Sequence, residues 1–179
     1  MKKDTQTEST ELATRKEYDM SIDNLLTSIC LDRKLGEVVK NRENAVTARA
    51  YTVNSMVFNA IFEMDVELIK TIAMRVDGTV PAEGERSGYA NLLGDAINDV
   101  MGYEDSRMLT ITPDDLPIIA MAKVLAYKAT QPAGTNYQQR KERNLAAQMI
   151  LERTGGRKVS PTRPLLETKY VEPDWMEDE

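Results

Sequence analysis

Histidine is absent from the 179 residues, cysteine and tryptophan occur once each, and phenylalanine occurs twice. Without imidazole there is no Ser–His–Asp triad, no His-containing zinc site and no histidine acid–base catalysis. A lone Cys30 excludes an internal disulfide and a cysteine-only zinc cluster. Aromatics make up 6% of the chain, so the core must rest on Leu, Ile, Val, Met and Ala. No apolar run approaches the ~18 residues that a membrane span needs. The start, Met1 to Glu8, is polar and unlike a secretory signal. Neither GxxxxGK[ST] nor GxGxxG occurs, so no phosphate-binding loop is expected.

What is present is a globular composition, 41% hydrophobic and 29% charged, at a length that suits one domain with tails. Residues 1–17 are polar and aperiodic and read as a flexible arm. From Ser21 the spacing turns helical. Ile22, Leu25, Leu26 and Ile29 form one stripe. Leu31, Leu35, Val38 and Val39 form a second, rotated stripe, which predicts a break near Asp32 and weakening at Gly36. Val46, Ala50, Val53, Val57, Ile61 and Met64 follow steps of three and four, the pattern of one long helix. Asp65 caps the next helix, whose face is Val66, Ile69, Ile72, Ala73 and Val76, and Asp77-Gly78 stops it. Residues 78–88 form a loop by composition, and a helix follows over about 89–101. Thr112-Pro113-Asp114-Asp115 spells a helix start, with Pro117 either tolerated in the first turn or moving that start forward. The last helix runs from Tyr137 to about Arg153 and buries Leu145, Ala146, Met149 and Ile150. No alternating strand pattern appears. The expectation is an all-α domain of five to six helices over 18–156, with a flexible N-terminal arm over 1–17 and an extended, basic-then-acidic C-terminal tail over 157–179.

The net charge of −6 hides an asymmetry. Lys123 to Arg163 holds nine basic residues and two acids, so the segment carries +7 and the remainder −13. A basic block in an acidic chain is the footprint of a polyanion-binding surface, or else a solvated helix face suited to the helix dipole. The residues expected to meet DNA phosphates are Arg140, Lys141, Arg143, Arg153, Arg157, Lys158 and Arg163. Catalytic and metal-binding signals are poor. Asp114-Asp115 reads as helix capping, and Asp95 with Asp99 as a solvated face. Asp77 fails as the opening of an EF-hand because Thr79 and Pro81 occupy the next ligand positions. Cys30 reads as a buried small hydrophobe. No enzyme, metal or cofactor is expected.

The run Leu-Ala-Ala-x-Met-Ile-Leu-Glu-Arg-Thr-Gly-Gly-Arg-Lys over 145–158 follows Ala129-Thr130-Gln131-Pro132 and a basic helix start. Over 122–158 the chain resembles the helical hairpin of small terminase subunits of tailed bacteriophages. The resemblance implies a non-catalytic, homo-oligomeric DNA-packaging factor. Such a factor binds double-stranded DNA and a large terminase subunit, with no membrane, in host cytoplasm or virion. These subunits commonly carry an N-terminal helix-turn-helix; none is read in residues 18–60. The alternative function is a virion structural or connector protein whose tails bind neighbouring subunits. A stand-alone DNA-binding regulator would need a recognition helix.

The tail has its own logic. Pro161, Pro164 and Pro173 bar a long helix, and residues 172–179 hold five acids, so it is not expected to join the core. Leu165, Leu166, Tyr170, Val171, Trp175 and Met176 are nevertheless spaced apolar anchors, suited to docking on a partner, either a neighbouring subunit or a larger packaging or virion protein.

Overall fold

The computed structural model describes residues 20–78, 91–103, 108–132 and 134–154. The expected arm over 1–17, most of the expected loop over 78–88 and the tail over 157–179 lie outside the described residues. Seven helices and no strand occur among those described: α1 (Ile22–Asp32), α2 (Leu35–Glu43), α3 (Ala48–Phe62), α4 (Val66–Val76), α5 (Leu92–Tyr103), α6 (Pro117–Thr130) and α7 (Tyr137–Thr154). The all-α expectation holds, with more and shorter helices than five or six.

The N-terminal helices obey their caps. Ser21 Oγ accepts the Asn24 amide at 3.2 Å and opens α1, whose stripe buries Leu25, Leu26, Ile29 and Cys30. The expected break falls at Asp32, and the rotated stripe becomes α2. Gly36 stands at the start of α2 rather than near an end. The Leu35 and Gly36 amides donate to the Asp115 and Pro113 carbonyls at 2.8 and 2.9 Å. A Cβ on Gly36 would stand 3.3 Å from the Pro113 Cβ, so glycine permits this backbone approach.

The long helix expected over 46–64 forms as α3, two residues shorter at each end. Asn44 Nδ2 donates to the Lys40 carbonyl at 2.9 Å and closes α2, while Thr47 Oγ1 accepts the Ala50 amide at 3.1 Å and opens α3. Val46 between them is 85% exposed. Two polar side chains that satisfy helix ends outweigh one apolar residue in register. Helix α3 stops at Met64, which takes φ 52°. That left-handed conformation costs a non-glycine residue about 1 kcal/mol, and the Met64 side chain packs on the core in return. Asp65 Oδ1 then accepts the Leu68 amide at 3.0 Å and caps α4, as its spacing predicts.

Helix α6 begins at Pro117, not at Thr112. Leu116 before the proline is extended (φ −71°, ψ 143°), the conformation that a following proline ring imposes. Residues 112–115 form a separate turn, in which Asp115 Oδ2 accepts the Thr112 amide at 2.8 Å. Helix α6 buries Ile118, Ala120, Met121, Ala122, Lys123, Val124, Leu125 and Ala126, so it is covered all round. It packs on α1, α3, α4, α5 and α7. Ala120, Ala122 and Ala126 allow neighbouring backbones close. The buried Lys123 ammonium is held by both Asp115 carboxylate oxygens (3.1 and 3.0 Å) and the Thr110 carbonyl (3.1 Å), the compensation that a buried charge requires. Around this axis, α1 to α4 pack mainly on one another, and α5 and α7 pack on α6 and on each other.

Candidate nucleic-acid interface

Of the seven basic residues expected to meet DNA, four are described. Arg140 and Lys141 are exposed on the first turns of α7, and Arg143 is half-buried. Arg153 is a correction: its side chain is 5% exposed, and its Nη1 donates to Asp77 Oδ2 at 2.9 Å. Helical spacing turns position 153 to the face that also carries Ala146, Met149 and Ile150. Its guanidinium is therefore sealed inside and meets no solvent-borne phosphate. Arg157, Lys158 and Arg163 lie outside the described residues. So do all six expected partner anchors, Leu165, Leu166, Tyr170, Val171, Trp175 and Met176.

The pairing around Arg153 explains why three helix ends meet there. Asp77 follows the last residue of α4, and its side chain has no exposed surface. Its two oxygens accept the Leu92 and Leu93 amides at 3.1 Å each. Asn91 Oδ1 accepts the Gly94 amide at 3.3 Å, and Asn91 Nδ2 donates to the Arg153 carbonyl. The first-turn amides of α5, orphaned by helix geometry, are thus satisfied by Asp77 and Asn91. Burial pushes the Asp77 carboxyl above its ordinary range, against the two amides and Arg153, which favour its charged form. The cluster is a structural joint of α4, α5 and α7.

Other charges in the basic segment are also spent internally. Lys128 Nζ donates to Glu142 Oε2 at 2.8 Å, and Gln138 Nε2 donates to Glu142 Oε1 at 3.0 Å. The hydrogen bond from Lys128 holds the Glu142 carboxyl below the ordinary glutamate value despite partial burial. With Lys123 committed to Asp115, the segment's surface charge is smaller than its sequence charge. Lys141 faces Glu67 at 3.4 Å, both about half-exposed. Among the described residues, no carboxylate pairs with Arg140 or Arg143. Tyr137, 73% exposed, lines one shallow groove with Arg140, Lys141 and Asn144. Arg143 lines a second with Tyr127, Gln131 and Gln139.

A second basic surface was not read from the sequence. Helices α2 and α3 pack directly on each other across the short connection 44–47, in helix–turn–helix order. Helix α3 contains no acid and a single charge, Arg49. Ala48, Arg49, Tyr51 and Thr52 are exposed at its N-terminal end. Lys40 and Arg42 stand in the last turn of α2. The Arg42 guanidinium carbon lies 4.1 Å from the centroid of the Phe58 ring, and Phe58 and Phe62 lie 4.5 Å apart. The sequence signal was a surface helix of fifteen residues with one charge.

Asp114 is turned to Lys34 at 2.7 Å and Asp115 to Lys123, while Asp95 and Asp99 are exposed. Among the described residues no three histidine, cysteine, aspartate or glutamate side chains converge to hold a metal. Burial, with a smaller contribution from the Asp77 charge, pushes the Cys30 thiol up to about 12. Among the described residues, no helix is long and apolar enough to cross a membrane. No protein family, curated protein or solved structure matches the chain.

Proposed function

We propose that the chain is a DNA-packaging factor of the small-terminase kind, without catalysis of its own. In this reading it self-associates, binds double-stranded DNA chiefly through phosphates, and recruits a large packaging subunit through residues 165–176. The observation that carries the reading is the pair α2–α3. A nine-residue helix and a fifteen-residue helix are joined by a short connection, and the second carries Tyr51, Thr52 and Arg49, whose Nη1 also donates to the Met20 carbonyl at 2.7 Å, at its start, with no acid within the helix. The N-terminal residues of a second helix are those that reach a major groove in such units, and Lys40, exposed in the last turn of α2, offers a cation to the backbone beside it. Arg140, Lys141 and Arg143 add a second cationic edge.

The test is duplex binding by the full chain, read by fluorescence anisotropy across a salt series. Binding is expected to weaken linearly in log–log form, with a slope of roughly 0.9 per phosphate neutralised. Arg49→Ala and Lys40→Ala should each reduce affinity and slope, as should the combined Arg140→Ala and Arg143→Ala. Native mass spectrometry of the same samples should show a defined oligomer. Affinity and slope unchanged in all three variants would remove the DNA reading. A virion connector would instead bind duplex no better than an acidic protein does and would remain in purified particles.

A further inference from the structure

The outer side of α3 is unusual for a helix surface. Tyr51 is 51% exposed and Phe62 46%. They flank the half-buried Phe58 at steps of seven and four, so the three rings share one face. Both phenylalanines of the chain are here. Arg42 lies over Phe58, and among the described residues no carboxylate pairs with it, or with Lys40 in the same turn. The Arg42 Nε and Ser55 Oγ atoms are buried without a hydrogen-bond partner. Ser55 lies one turn before Phe58 on the same helix. Apolar surface, the Arg42 cation and unsatisfied polar atoms therefore coincide along one seam. Glu63 is the acid at its far end.

We infer that this seam seats residues 172–179 of the same chain, Glu-Pro-Asp-Trp-Met-Glu-Asp-Glu. The segment holds five acids and no base, and its apolar residues are Trp175 and Met176. The cation shown against the rings is Arg42, held over Phe58 with no carboxylate partner among the described residues. A chain segment that is acidic around a tryptophan complements a guanidinium lying on a pair of phenylalanines. Its carboxylates answer Arg42, and Trp175 covers the Phe58 and Phe62 rings. Residues 155–171 connect it to Thr154, the end of α7. At roughly 3.3 Å per extended residue they reach about 55 Å, further than the roughly 30–40 Å across a domain of this size. Linkage within one chain gives the segment an effective concentration near the millimolar range, so modest contacts suffice to hold it. The seating is confined to the aromatic half of α3 and stands whether or not the helix start meets DNA; while seated, Trp175 and Met176 are withheld from a packaging partner, which must release them to use them.

Trp175 is the only tryptophan, so its emission reports this segment alone. In the full chain the emission should be blue-shifted and protected from iodide and acrylamide, and it should stay so on dilution. Arg42→Glu with Phe62→Ser should turn it red and quencher-accessible, with far-ultraviolet circular dichroism unchanged. Because that pair sits on a helix, a second variant leaves the helical body untouched: Glu177→Lys, Asp178→Lys and Glu179→Lys together should release Trp175. Adding Arg42→Glu to this triple variant should restore the blue emission by charge reversal. Solvent-like emission in the unaltered full chain would overturn the inference. So would blue emission indifferent to both sets of variants, or blue emission lost on dilution, which would place the segment on a second copy.

Discussion

Replacing Arg153 by methionine removes the cation from the joint of α4, α5 and α7 while keeping most of the side-chain volume. The Asp77 carboxylate is then left with no exposed surface and two amide donors. Breaking a buried ion pair from one side costs about 3–5 kcal/mol. Two features of this site keep the cost within that range. The Leu92 and Leu93 amides still stabilise the anion, as does the N-terminal end of the α5 dipole, whereas Asp95 nearby repels it. Against a total stability of about 5–15 kcal/mol, the loss is large, and it should lower the melting temperature by roughly 10–20 °C. The assay is urea and thermal unfolding followed by circular dichroism at neutral pH and repeated in acid. Arg153 favours the charged form of Asp77, so its removal raises the folded-state carboxyl further above the unfolded value. A raised acid binds more protons when folded, so its cost is present above the folded value and vanishes below the unfolded one. The gap between variant and parent should therefore narrow as pH falls through that window. A loss under about 1 kcal/mol, or a gap that widens in acid, would refute the claim that this pair is sealed from water.

Glu142→Gln should cost about 1 kcal/mol at neutral pH by weakening the tie between α6 and α7. Because Glu142 is held below the ordinary glutamate value, its contribution is present above that value and lost as pH falls through the lowered one; urea midpoints across a pH series read this. Gly94→Ala should destabilise by about 1 kcal/mol despite the better helix propensity of alanine. A Cβ there would sit 2.0 Å from Asn91 Nδ2, expelling the side chain that caps α5 and bonds the end of α7; thermal unfolding measures the net effect. Cys30 should react with a disulfide reagent only as fast as the protein opens, since its buried thiol, raised to about 12, holds almost no thiolate at neutral pH. Rapid labelling of folded protein would contradict its placement.

The apolar faces of α1, α4, α5 and α7 were legible because each helix has one buried side, and period and burial then coincide. Val66, Ile69, Ile72 and Ala73 are expected and found inside. The start of α3 was read two residues early because Val46 keeps the period of the residues after it, and the side-chain bonds of Asn44 and Thr47 leave no mark on hydrophobic spacing. The burial of α6 on every side was hidden because alanine carries little periodic signal and Lys123 reads as exposed until Asp115 is placed beside it. For the basic surface, counting charge along 123–163 identified Arg140, Lys141 and Arg143 as accessible cations. It misassigned Arg153, whose partner lies in a part of the chain remote in sequence. The α3 surface escaped because its signal is the scarcity of charge on a helix, which resembles a core pattern until the helix is placed at the surface.

The position of α6 in the chain governs the order in which the protein can be made. A ribosome releases α1 to α5 before the helix on which α1, α3, α4 and α5 all pack. Until Pro117–Thr130 emerges, those helices share no common axis, and the pockets for Ile118, Met121 and Leu125 stand open to water. The Asp77 carboxylate likewise waits for Arg153, near the end of α7. Synthesis therefore passes through a long interval in which most of the helices exist but the core does not. A chain stopped between α5 and α6 would lack both the helix that joins the two halves and the cation that pairs with Asp77, and completion of the fold is held back until α6 and α7 have left the ribosome.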